Sequence, residues 1–266
     1  MGLDARGALP RPRGTLSLQT LFVPTSPPPA GLRAGSVLDV PQFLLSFFLY
    51  APVLLFSVVA HEYAHGYAAL KQGDTTALQL GRLTFNPIKH IDPFMSVILP
   101  AFLIWAGGPV LGAAKPVPVV PRNYRHYKRG DIIVSLAGIA TNLVLAPLCA
   151  VLMVIFGVVG QRVPALGPSL AILQAMLWKG VQLNLVLALF NLIPIPPLDG
   201  SHVFKYLLPP AWALRYQQFG RFGFVLLLGL LYMGGGLLST WMAPVALGLR
   251  AAAGVVGPFL LPSPLA

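Results

Sequence analysis

Long apolar runs govern what this chain can fold into. Residues 42 to 70, 132 to 159, roughly 172 to 197 and 222 to 249 are each long enough to cross a bilayer, which takes about 20 residues of helix. Over the whole chain 56% of residues are hydrophobic and only 9% charged, with a mean hydropathy of +0.76. A soluble domain carries about 25% charge, so the expected class is an all-α polytopic membrane protein with a bundle of about 4–6 transmembrane helices. Irregular backbone inside such a bundle must be surrounded by protein or water.

The net charge of +11 does not point to nucleic acid, because the basic residues sit between apolar blocks without interleaved aromatics. In that position they set membrane topology. The single cysteine, Cys149, excludes an internal disulfide.

Residues 1–41 are rich in Pro, Gly and Arg and read as a flexible arm. The membrane-embedded domain is expected over 42–250, with a Pro-containing tail at 251–266. A shorter block at 94–114, broken by Pro100, Gly107, Gly108 and Pro109, either spans or enters and returns. The segment TTALQLGRLTFNP before it mixes polar, β-branched and aromatic residues and ends in Asn-Pro, which predicts a short membrane-associated β-hairpin. An edge strand at 77 to 85 would suit capture of an extended peptide by strand addition.

The first run contains His61, Glu62 and His65, spaced H-E-x-x-H. Residues four apart share one face of a helix, so both imidazoles can reach one metal, with Glu62 beside them as a base. Glu62 is the only glutamate in 266 residues. The competing reading, a polar helix face paired within the bundle, conflicts with the cost of ionisable groups at membrane depth. Two histidines and a glutamate in this pattern suit zinc and hydrolytic chemistry.

A catalytic zinc takes a third protein ligand, for which His90, His126, His202 and the aspartates are candidates. Asp199 stands out because it follows the apolar run broken by Pro194, Pro196 and Pro197. It could instead cap the helix that resumes at Gly200. His202, three residues on, is a candidate supporting residue near the metal. His65 and Asp199 each precede a lysine by six residues, Lys71 and Lys205, or about 9 Å along a helix. To share a metal, the two spans must run parallel and end on one face, which argues that 94–114 is a re-entrant segment.

These motifs resemble the site-2 protease family of intramembrane zinc metalloproteases, in its compact bacterial branch without a PDZ domain. His61, Glu62 and His65 match the family's HExxH, and NLIPIPPLDG (191 to 200) its N-x-x-P-x-x-P-L-D-G. AGIATN (137 to 142) is similar to A-G-P-x-x-N, with Ile139 in place of proline. GRLTFNP and AKPVPVVPRN also resemble that branch.

The resemblance implies one zinc ion held by His61, His65 and Asp199, Glu62 as the catalytic base, and Asn142 and Asn191 as substrate-binding or oxyanion residues. It implies a transmembrane protein substrate cleaved within the bilayer. A multi-pass protein of the cell (inner) membrane is expected, and the re-entrant topology puts its active site toward the cytoplasm. The alternatives are a membrane metal carrier and a catalytically silent binder of transmembrane partners.

Overall fold

A computed structural model of the chain describes residues 40–98 and 115–262. It contains α1 (Val40–Gln72), α2 (Thr76–Gln79), α3 (Tyr127–Arg162), α4 (Gly167–Asn191), α5 (Asp199–Phe204), α6 (Pro210–Gln218), α7 (Gly223–Met233), α8 (Gly235–Trp241) and α9 (Ala243–Val256). Short single turns connect several of these.

Three stretches are long and apolar enough to cross a membrane: Phe47–Gln72, Tyr127–Arg162 and Pro164–Asn191. A fourth is possible if the pair Gly235–Trp241 and Ala243–Phe259, bent by 45°, counts as one span. The chain is a membrane protein. Among the described residues three or four stretches qualify by length and composition. The run at 222 to 249 is not one helix, because the glycines at 234 to 236 and Pro244 interrupt it.

Cross-helix hydrogen bonds give the helix directions. His65 of α1 pairs with Val134 of α3, and His61 with Asn142, so α1 and α3 are antiparallel. Asn142 pairs with Asn184 of α4, while Gly180 lies against Cys149, so α3 and α4 are antiparallel too. The N–H of Arg125 donates to the carbonyl of Gln72 at 2.8 Å, placing the end of α1 and the start of α3 on one face. Hence α1 and α4 run parallel, as a site shared between their ends requires. The expected re-entrant segment 94–114 lies, from 99 onward, outside the described residues, as does the arm up to 39. Within 251–266, α9 continues through the expected domain boundary to Val256.

The predicted hairpin is corrected: no strand forms among the described residues. Gly73, at φ +111°, ends α1 with hydrogen bonds from its own N–H to Leu70 and from the Asp74 N–H to Ala69, the pattern of a Schellman cap. Asp74 then accepts from the N–H and hydroxyl of Thr76, which starts the helical turn α2 instead of an extended strand. Ala77 is buried against Gly66, whereas Leu78, Gln79 and Leu80 in succession are all exposed, which breaks the alternation of a half-buried strand. Without a partner strand, alternation alone cannot hold β structure.

The prolines after α4 produce irregular backbone from Leu192 to Leu198. It is anchored in an apolar cluster of Ile193, Leu198, Leu238, Met242 and Val245, contributed by this loop, α8 and α9. Tyr216 caps the Pro194 carbonyl at 3.1 Å, and Trp241 donates to Leu189 at 2.8 Å. The loop is thereby packed on several sides, as its depth demands.

Candidate metal centre

Two histidines four residues apart on α1 and one aspartate at the start of α5 meet at the end of the bundle. His61 Nε2 lies 3.0 Å from His65 Nε2, and Asp199 Oδ2 lies 3.1 Å and 3.3 Å from them. One ligand atom from each residue falls within 4.8 Å of the others. Both histidines are buried, at 7% and 9% exposure, which removes the competing water that would otherwise solvate them.

The outer ring nitrogens decide what these three atoms can do. His65 Nδ1 lies 2.7 Å from the Val134 carbonyl, which only accepts, so Nδ1 carries a proton and the neutral ring keeps its lone pair on Nε2. His61 Nδ1 faces Asn142 Oδ1, also an acceptor. With both rings neutral, two Nε2 lone pairs and a carboxylate oxygen converge on one point. Three acceptors at such distances repel unless a cation sits between them, and two imidazoles with one carboxylate are a set that suits zinc. The residues present fit that ion.

Space is reserved for the rings by Gly138 of α3. A Cβ there would lie 2.5 Å from Nε2 and Cε1 of His61 and 2.6 Å from His65 Nε2. At the next residue of α1, Glu62 Oε2 accepts from the Val117 N–H at 2.7 Å. Residues 115 to 120 form neither helix nor strand, and Pro116 and Pro118 flank that donor.

Asp199 is carried by a short helix that is itself tied to α3. Asp131, near the start of α3, meets Lys205 Nζ at 2.6 Å and accepts from the Tyr206 hydroxyl at 2.8 Å. Asp131 and Lys205 are both buried. His202 Nδ1 approaches the same carboxylate at 3.7 Å while nearly half exposed. It belongs to this clamp and lies outside the three-residue cluster.

Of the other expected candidates, His90 is buried and bonds the Thr84 carbonyl through Nε2, and His126 lies just before α3. Neither joins the cluster. Asn142 is fully buried, with its amide used by His61 and Asn184. Asn191 donates to Leu187 of its own helix at 3.0 Å. Sequence reasoning missed Gly138, Val117, Asp131, Asn184 and Ser57. The signal for Asp131 and Asn184 was available, since polar groups inside apolar runs need partners.

The family model for peptidase family M50 matches residues 49–230. Among curated proteins, YwhC of Bacillus subtilis (strain 168), whose name assigns it to the zinc metalloproteases, is 38% identical over 190 residues, covering 68% of this chain and 83% of that protein. Rip2 of Mycolicibacterium smegmatis, also assigned by name to the zinc metalloproteases, is 32% identical over 181 residues, 66% of this chain and 64% of that protein. Rip2 of Mycobacterium tuberculosis (strain H37Rv) is 31% identical over 179 residues, and the chain spans 62% of it. No solved structure matches. The chain belongs to peptidase family M50, as the resemblance of its motifs implied.

Proposed function

We propose that the chain is an intramembrane zinc metalloendopeptidase that hydrolyses peptide bonds in or near transmembrane segments of other membrane proteins. His61, His65 and Asp199 hold one zinc ion per chain. The observation that carries this reading is the convergence of two imidazole Nε2 atoms and a carboxylate oxygen on one point, beside the chain's only glutamate. Zinc held there polarises a scissile carbonyl and brings the pKa of water toward about 7.

Glu62 takes the proton of the attacking water and delivers it to the leaving nitrogen. The Val117 N–H holds one carboxylate oxygen, leaving the other to work. A transmembrane substrate hides its peptide bonds in internal hydrogen bonds, so it unwinds locally before cleavage. Asn191, partly exposed at the end of α4, has a second amide hydrogen with which to donate to substrate backbone or to the oxyanion. Asn142 is too deeply buried for that role, and we place it behind His61.

The substrate is a transmembrane protein and the setting the lipid bilayer. We place the chain as a multi-pass protein of the inner membrane with its site toward the cytoplasm. Lys71, Arg122, Arg125, Lys128 and Arg129 cluster in sequence around the ends of α1 and α3 on the face nearest the site, which supports that orientation by the positive-inside rule. A metal carrier using the same three residues as a transit site needs no general base.

Zinc content and cleavage of a model transmembrane substrate in liposomes test the reading on the native chain, Glu62→Gln and Asp199→Ala. The expected result is stoichiometric zinc in the native chain, lost cleavage with retained zinc in Glu62→Gln, and loss of both in Asp199→Ala. Metal without cleavage of several substrates by the native chain would move the assignment to the carrier or the silent binder.

A further inference from the structure

On the Nδ1 side of His61 a file of buried polar groups crosses all three long helices. Asn142 of α3, Asn184 of α4 and Ser57 of α1 are exposed by only 0%, 1% and 1%. His61 Nδ1 meets Asn142 Oδ1 at 2.5 Å, Asn142 Nδ2 donates to Asn184 Oδ1 at 2.7 Å, and Asn184 Nδ2 donates to both Ser57 Oγ and the Gly180 carbonyl at 2.9 Å.

One end of this file is a backbone carbonyl, which can only accept. The Asn184 amide must therefore turn its NH2 toward Gly180 and its oxygen toward Asn142. That oxygen requires a donor, so Asn142 presents NH2 to it and its own oxygen to His61. His61 must then carry its proton on Nδ1, which leaves Nε2 with a free lone pair facing His65 and Asp199. Reversing either amide would set like groups against each other in an apolar interior where water cannot relieve them.

We propose that Asn184 is a positioning residue for the zinc site: acting through Asn142, and referenced to the Gly180 carbonyl, it fixes the tautomer and orientation of His61. This rests on the zinc reading of the site. His65 obtains the same tautomer from one carbonyl of α3, but His61 depends on a relay that also requires α4 to be in place. Outer partners of this kind are worth about 10- to 100-fold in metal affinity.

The test uses the full chain, labelled with 15N at histidine, stripped of metal and held in lipid nanodiscs. Long-range nitrogen–proton correlation, taken at a pH high enough that both site imidazoles are neutral, reads the tautomer, and chelator competition reads zinc affinity. In the native chain His61 is expected to be protonated on Nδ1, with Nε2 bare. Asn184→Leu is expected to mix the tautomers and to weaken zinc about 10- to 100-fold. Asn184→Asp, neutral in this surrounding and able both to accept from Asn142 and to donate to Gly180, is expected to restore both readouts. Ser57→Ala, which leaves the Gly180 carbonyl in place, is expected to change neither.

A native chain with His61 protonated on Nε2, or a folded Asn184→Leu with native tautomer and affinity, would overturn the proposal. Should Asn184→Leu not fold, the native tautomer and the Asn184→Asp result decide. A native chain that binds no zinc overturns the metal reading itself, whereas the wrong tautomer in a chain that binds zinc overturns the relay alone.

Discussion

Gly138 of α3 and His61 of α1 stand so close that a single added methyl would lie 2.5 Å from the imidazole's Nε2. Alanine in the interior of a helix ordinarily stabilises by about 0.5–1 kcal/mol over glycine. Here it must displace the rings that converge on Asp199. Gly138→Ala is expected to weaken zinc binding by about tenfold or more, close to 1.4 kcal/mol, as read by chelator competition. Native zinc uptake would show that the rings can step aside.

Among the described residues Val117 supplies the one backbone donor to Glu62. Hydrogen bonds to charged groups are worth about 1.5–3 kcal/mol, so Val117→Pro should lower cleavage by about tenfold or more with zinc content unchanged. Zinc analysis beside a cleavage assay separates this from general damage, and unaltered cleavage would remove Val117 from the mechanism.

Asp131 holds the helix that carries Asp199 by pairing with Lys205 and Tyr206. Taking one member from a buried pair leaves the other charge unsatisfied, at a cost of about 3–5 kcal/mol. Asp131→Ala should therefore lower the thermal unfolding midpoint and zinc affinity together. The double variant Asp131→Leu with Lys205→Met should recover most of the midpoint.

The Asp74 carboxylate, in the turn after α1, is pulled two ways. Burial pushes its pKa up, but donors from Thr76, Asn123 and Val120 outweigh it and hold the group below the ordinary carboxylate range. A carboxylate whose pKa is depressed by folding stabilises the fold above its unfolded pKa and loses that contribution as pH falls through the folded value. Asp74→Ala should thus be less stable than the native chain at pH 7, and the gap should close as the pH is taken down through the acid range. A constant gap would mean that Asp74 acts by packing alone.

The three residues that converge, His61, His65 and Asp199, were legible in the sequence because metal chemistry forces a spacing. Two imidazoles on one metal must sit about a helical turn apart, and a carboxylate after three prolines in an apolar run has few other uses. The directions of α1 and α4 followed from the same requirement. Val117 was illegible because its contribution is a main-chain N–H, which carries no side-chain signature. Gly138 looked like any small residue of a packed span, and only the distance to His61 distinguishes it. The hairpin was misread because apolar alternation from Ala77 to Phe85 invited a strand, while Asp74, three residues upstream, had already committed the chain to a helical turn. Asn184 and Ser57 were visible as polar residues in apolar helices, but their partners lie on other helices, 42 and 127 residues away from Asn184 in sequence.

His61 and Asp199 are 138 residues apart and sit on different helices, so an ion gripped by both closes a very long loop. Any ligand that binds only the folded chain adds about RT ln(1 + [L]/Kd) to its stability, near 4.1 kcal/mol at a thousandfold excess over Kd. On the proposed ligand set, the free zinc level of the cell would set how firmly α5 is joined to α1, and a zinc-starved cell would hold the same chain with its third corner loosened.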